Sequence, residues 1–421
     1  MSGPAAVSEP PLQVGAGQEA IERIAAGEPA WRREQRERAW RAFEAQPEPD
    51  PRSDEDWRRT SLRGLALAER PIGFEGALTI EPPAALPDGV VLATLSDLEG
   101  EAARLWREHA FSTLAPERSK FVAAAEAFAN AGAVLFVPDG VELEGPIVLR
   151  HEITGPRSGF GAFRHLVIVL GKAARAEVVL VDRCDDGIDS GVLFSATEVV
   201  LGDGASLTCS AVQALGHAVM RFESRRAEVG ADACIRWVDA ELGARLARAE
   251  TESYLGAPGG EVQQRALVYG DDRQHIDLLN RVIHAGRHTT SDLRGRVALD
   301  QGSRSVYRGI VIMRNGCAGA NSQQACNSVL LDDRARSDAI PSLFIDEDDV
   351  RAGHGATAGP LDENQIFYLM TRGLPRPVCE HLILEGFFAP VLERVRDTAV
   401  EPVLRELMER KLALRAATRG D

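Results

Sequence analysis

Glycine recurs along the middle of this chain at Gly171, Gly202, Gly230, Gly256 and Gly286, with spacings of 31, 28, 26 and 30 residues. The first three are each followed three residues later by alanine: Ala174, Ala205 and Ala233. Self-similarity at such a period marks a chain built from stacked units rather than around one centre. Between the glycines lie short β-branched runs, HLVIVL, EVVLV, TEVVL, CIRWVDA, ALVYG and YRGIVIM. No 3.6-residue periodicity supports a helical repeat there, and a propeller blade needs about 40 residues. The pattern predicts a mainly-β fold, a right-handed parallel β-helix over 134–350. Each period should give more than one short strand, with small residues letting successive corners stack closely. The composition agrees: 39 glycines and only 5% aromatic residues suit thin repeating layers.

The flanks read differently. Residues 1–20 are small and polar, and a disordered tail is expected. An N-terminal helical region with a Pro/Asp-rich loop is assigned to 21–133. In EPAWRREQRERAWRAFEA, Trp31, Ala39, Trp40 and Phe43 share one helical face, with Arg and Glu on the other. QPEPDPRSDED (46–56) cannot continue that helix and reads as a linker or loop. Further helices are expected over 98–110 and 119–131, the latter ended by Gly132. A C-terminal helical region is assigned to 351–421. There Asp362 is the N-cap of DENQIFYLMTRG, Ile366, Leu369 and Met370 form its buried face, and Gly373 ends it.

Charge and motifs exclude several functions. Asp plus Glu number 63 against 48 Lys plus Arg, a net charge of −15, with no basic stripe for nucleic acid. No run of about 18 apolar residues could span a membrane, and the N-terminus lacks a secretory pattern, so a cytoplasmic protein is expected. The chain has no G-x-x-x-x-G-K-[ST], no complete dinucleotide fingerprint, no G-x-S-x-G and no H-E-x-x-H. Six cysteines, none in a C-x-x-C pair, read as reduced thiols. Cys184, Cys209, Cys234 and Cys379 read as core filling, and His165 and His217 as solvated or hydrogen-bonded structural residues.

Residues 300–390 carry the most information: YRGIVI (307–312), CNSVLL (326–331), IPSLFIDEDDV (340–350), HGAT (354–357), DENQIFYLMTRGL (362–374) and a helix ending in GFF (386–388). Iron–sulfur species want thiolate ligands, and imidazole can replace one of them. Cys326 lies before an apolar strand, and His354 lies in a glycine-rich turn after DEDD, where neighbouring glycines permit close approach. On residues alone, buried filler is the favoured reading of Cys326 and a solvated acidic turn that of DEDD (346–349). In order and spacing these motifs resemble the SufB/SufD family, the β-helical scaffold subunits of the Suf iron–sulfur cluster assembly machine. HIDLLNRVIHAGRHTTSDLRGRVALDQGS, EPAWRREQRERAWRAF and DWRRTSL (56–62) extend the resemblance to about residues 28–395. Glycines beside His354 and the W-R-R-E start resemble the SufD type, whereas Cys326 resembles the SufB type.

The resemblance implies a scaffold subunit that is not itself an enzyme. It implies a heterodimer with a SufB-type partner through the β-helices, and C-terminal helices that dock a SufC-type ABC ATPase, which hydrolyses the ATP. A homodimer is an alternative for the isolated chain. His354 and Cys326 are the candidates for a transient iron–sulfur cluster at the subunit interface. Ile366, Phe367, Tyr368, Arg372, Gly373 and Phe387 are the candidates for ATPase docking. A flavin has been associated with complexes of the family; no fingerprint here supports one. The rival readings are a SufB-like subunit that holds the cluster itself and a β-helical polysaccharide lyase or hydrolase.

Overall fold

The repeat resolves into coils of two strands each. The computed structural model describes residues 14–15, 17–65, 71–72, 77–153, 160–184, 187–393 and 400–419. Before the coils come β1 (Val14–Gly15), α1 (Gln18–Ile24), α2 (Ala30–Ala45), β2 (Pro71–Ile72), β3 (Ala77–Glu81), β4 (Val91–Thr94), α3 (Gly100–His109) and α4 (Lys120–Ala127). The coils begin with β5 (Ala131–Val137), β6 (Ile147–Ile153), β7 (Phe160–Leu170), β8 (Arg175–Cys184), β9 (Gly191–Leu201), β10 (Ser206–Ala214), β11 (Val219–Val229) and β12 (Cys234–Glu241). They continue with β13 (Leu246–Leu255), β14 (Glu261–Gly270), β15 (His275–His284), β16 (Thr290–Leu299), β17 (Arg304–Met313), β18 (Asn321–Leu330), β19 (Arg336–Ile345) and β20 (Arg351–Pro360). Then follow α5 (Glu363–Thr371), α6 (Arg376–Leu392) and α7 (Val400–Arg419). No helix among the described residues is long and apolar enough to cross a membrane.

Even-numbered coil strands stack into one parallel sheet and odd-numbered ones into the other, giving the expected parallel β-helix. The first end is closed by antiparallel pairing, β3 on β6 and β4 on β5. At the other end β20 and β19 are the edges of their sheets, and among the described residues nothing pairs beyond them. The interior of the first coils is an aliphatic stack that includes Leu135, Leu149, Ile168, Leu180, Leu207 and Ile235.

The glycine period has the cause expected of it. Gly171 and Gly202 donate to Val137 and Leu170 of the previous coil at 2.8 Å, and Gly230 to Leu201 at 3.0 Å. A Cβ at Gly230 would sit 2.7 Å from the Leu201 carbonyl oxygen and 2.8 Å from Gly202 backbone carbon. Ala174, Ala205 and Ala233 are buried inside the same corners. Gly230→Val is therefore expected to destabilise the fold by about 1–3 kcal/mol through overpacking against backbone. The readout is the denaturant midpoint, and an unchanged midpoint would show that the corners can spread.

Several boundaries differ from the sequence reading. The solenoid does not stop at 350, because β20 pairs with β18 from Arg351 to Pro360. The 21–133 region is not purely helical, since β3 and β4 cap the coils. The assigned tail lies partly outside the described residues, but α1 starts at Gln18 and buries Ala20 and Ile21. The helix expected over 119–131 ends at Ala127, with Ser119 accepting from Phe121 and Val122 as its N-cap; Gly132 belongs to β5.

The 46–56 segment and DWRRTSL form a strap rather than a free linker. Asp56 meets Arg281 at 3.1 Å, and Trp57 packs on Phe121 with centroids 4.9 Å apart. Arg59 lies 3.8 Å from Asp338, and Thr60 donates to Asp277. The polar face of α2 also departs from expectation, because Arg32 and Arg36 are buried. Arg32 pairs with Glu126, and Arg36 donates to the carbonyls of Ala127 and Ala129 at the end of α4, at 3.2 and 2.8 Å.

Candidate functional site

The open end of the β-helix brings the two cluster candidates together. In the register of β18 with β20, Gln324 pairs with His354 and Cys326 with Ala356. Strand side chains alternate, so Gln324, Cys326 and His354 all occupy the inward face on successive coils. His354 is thus in the terminal strand, not in a turn, and the open end leaves it exposed. A Cβ at neighbouring Gly355 would meet nothing within 4 Å, which leaves that surface accessible to another chain. Cys326 is mid-strand rather than ahead of one. It is buried against Tyr307 and Gly295, and a Cβ at Gly295 would lie 3.3 Å from its Sγ.

Burial pushes the Cys326 thiol up to about 11, so at neutral pH it rests protonated. DEDD forms the turn that closes the last coil. Glu347 accepts from the Gly316 N–H at 2.9 Å, and its backbone hydrogen bonds hold it below the usual carboxylate range. Among the described residues no group of three or more His, Cys, Asp and Glu is placed to hold a metal ion. The open end therefore offers one exposed imidazole and, one coil deeper, one buried thiol.

The docking candidates divide by exposure. Asp362 caps α5 by accepting from Asn364 at 2.9 Å, and Gly373 ends it at φ +87°, as the sequence indicates. Phe367 is 69% exposed and Tyr368 56%, and Met370 is exposed rather than buried. Arg372 stacks over Tyr368 at 5.2 Å and donates to its hydroxyl at 3.1 Å, fixing the ring in an outward position. Ile366 is buried and holds the helix down; it cannot serve as a contact surface. Phe387 is half-buried, edge-on to Phe388 at 5.2 Å. Leu384, Phe388, Leu404, Leu407 and Met408 pack against Val179, Val212, Val238, Leu267 and Tyr269 on the even sheet.

The cysteine and histidine readings are mostly met. Cys209 and Cys379 are buried, while Cys184 and Cys234 are half-exposed at strand ends. His165 lies 2.6 Å from Glu126 and 2.9 Å from Glu198, and His217 lies 3.1 Å from Asp271. Sequence reasoning missed a buried array of charges inside the middle coils. Arg164 pairs with Asp182, and Arg221 with Glu223 and, at 2.9 Å, with Glu241. Arg225 lies 2.6 Å from Asp239, from which Gln264 leads to Asn280. Its signal was present in RFESRRAEV, where Arg221, Glu223 and Arg225 alternate onto one face.

Comparison with known proteins places this geometry. The profile of the SufBD core domain, of the SUF system of FeS cluster assembly, matches residues 152–387, more than half of the chain. The iron–sulfur cluster assembly protein SufD of Bacillus subtilis (strain 168) is 31% identical over 301 residues, 70% of this chain and 68% of that protein. SufB of the same organism is 26% identical over 316 residues, 74% and 67% of the two chains. An iron–sulfur cluster assembly SufBD family protein of Mycobacterium bovis is 27% identical over 305 residues, 70% and 75%. A two-sheet β-helix capped at one end, the matched core and these identities lead to one assignment: the chain belongs to the SufB/SufD family of iron–sulfur cluster assembly proteins.

Proposed function

We propose that the chain is the SufD-type, non-catalytic subunit of a cluster-assembly scaffold. It pairs through the open end of its β-helix with a SufB-type subunit, and α5 with the neighbouring helices docks a SufC-type ABC ATPase. The observation that carries the pairing is the uncapped end. Unpaired edge strands invite another chain, and β19 and β20 are such edges; on β19 the outward Phe344 and the inward Ile345, which pairs with buried Met313, are both exposed. The nascent cluster is cargo at that junction. His354 supplies an imidazole from this side, and the partner supplies the remaining ligands, because the described residues offer no complete donor set of their own. ATP hydrolysis then belongs to the docked ATPase, and a cytoplasmic location fits its need for ATP. A second reading, a SufB-like subunit that itself holds the cluster, rests on Cys326.

Co-purification with SufB-type and SufC-type subunits tests the assembly. Deleting the C-terminal helices is a poor test, since it would strip the cover from Val179, Val212 and Leu267. Phe367→Ser with Tyr368→Ser changes exposed side chains only, so the fold should hold. As anchor residues they should weaken ATPase binding by about 30-fold or more, from a loss of at least ~2 kcal/mol, with pairing to the SufB-type subunit unchanged. Wild-type ATPase affinity in that double variant would refute docking through α5.

A further inference from the structure

We propose that the outer face of β16, beside α6, is a binding site for a small, multiply charged oxyanion of the phosphate or polycarboxylate class. The sequence places Asp292, Arg294 and Arg296 alternately on β16, and their inward neighbours Leu293, Gly295 and Val297 are buried. In register, Arg294 pairs with Arg265 of β14 on one side and Ala325 of β18 on the other, and Arg296 pairs with Asn327. Three guanidiniums and one carboxylate thus line the same recess, in a chain whose net charge is −15.

That carboxylate is already engaged at both oxygens. Arg265 Nη2 reaches Asp292 Oδ2 at 2.6 Å, and Arg294 Nε reaches Oδ1 at 2.6 Å. Arg296 has no carboxylate within 4 Å among the described residues, and its guanidinium instead lies over the Phe387 ring at 5.2 Å. Burial, with the neighbouring Arg294 charge, makes its protonation less favourable than in water. A half-buried guanidinium facing like charge is unfavourable unless an anion completes the group. The space for one is present: a recess of about 320 Å³ lined by Arg265, Arg294 and Arg296, by the already paired Asp292, and by Asn327 and Pro390 among others.

The donor geometry selects the ligand class. Guanidinium forks match the paired oxygens of carboxylate and phosphate, whereas a halide would use neither fork. The recess falls in the size range of small-ligand sites, and its floor, Ala325, leaves room for an anion rather than a large ring system. Bound there, the anion would tie α6, through Arg296 and Phe387, to the strand that carries Arg294.

The test titrates inorganic phosphate and citrate into the full chain at constant ionic strength, by calorimetry and by thermal unfolding. Saturable binding of at least one of them, with a dissociation constant on the order of 1 mM or tighter and a raised unfolding temperature, is expected. Arg294→Gln with Arg296→Gln should abolish it. Ala325→Asp, which sets a carboxylate in the recess, should abolish it while the protein unfolds as before. Arg336→Gln, at an exposed arginine elsewhere, should bind as wild type. No saturation with either anion, or equal binding by the double variant, overturns the site.

Discussion

His165→Leu is expected to destabilise the protein by about 3–5 kcal/mol, the cost of breaking a buried ion group by removing one member. The imidazole stands between two buried carboxylates, Glu126 on α4 and Glu198 on β9. Glu126 also pairs with Arg32 of α2, and Glu198 accepts from the N–H groups of Phe111, Thr113 and Leu114 at 2.6, 2.8 and 2.9 Å. Among these, Phe111 has a φ of +68°, so Glu198 also holds a backbone turn that is unfavourable alone. The group fastens the N-terminal helices to the odd sheet, and leucine would leave two carboxylates facing one arginine.

The same group sets a pH dependence. Burial disfavours the charged imidazole, but the hydrogen bonds to Glu126 and Glu198 outweigh it and raise His165 from 6.5 to about 9. A raised pKa gives stability that is complete below 6.5 and is lost as pH rises through about 9. Burial also opposes the charge on Glu126, yet Arg32 and His165 bring it from 4.5 to about 2, so its share is complete above 4.5 and lost as pH falls through about 2. Urea unfolding at about pH 6 and about pH 9.5 should therefore show a fall in wild-type stability that His165→Leu lacks. An equal fall in both would place the alkaline transition elsewhere.

The legibility of this fold follows from how local each cause is. Gly171, Gly202 and Gly230 could be read from sequence because the need for glycine is a local matter of backbone approach between stacked corners. Asp362 and Gly373 could be read because capping is local too. Strand β20 could not, since RAGHGATAGP contains no β-branched run and is held extended by its pairing with β18; tertiary context overrides propensity there. Arg32, Arg36, Arg164 and Arg221 were hidden for a related reason. A charged residue is buried only when partners arrive from elsewhere, and Glu126 comes from α4, Asp182 and Glu241 from the facing strands of the other sheet. His354 and Cys326 could be named as candidates from their motifs, but their common inward face is a property of register, which motif spacing does not encode.

That shared face makes His354→Ala and Cys326→Ser a discriminating pair. His354 is exposed on a terminal strand between glycines, so its truncation should change stability by no more than about 0.5 kcal/mol. In the assembled complex the expected result is loss of cluster formation to background, with both partners still bound, read from iron and sulfide content and visible absorbance. Cys326→Ser should behave oppositely. The thiol is buried and its ionisation is suppressed, so a hydroxyl there costs about 1–2 kcal/mol of stability, while clusters still form. If instead Cys326→Ser abolishes clusters in a folded complex, this chain supplies thiolate and the SufB-like reading gains the site. If His354→Ala assembles clusters at the wild-type rate, the imidazole at the open end is not a ligand.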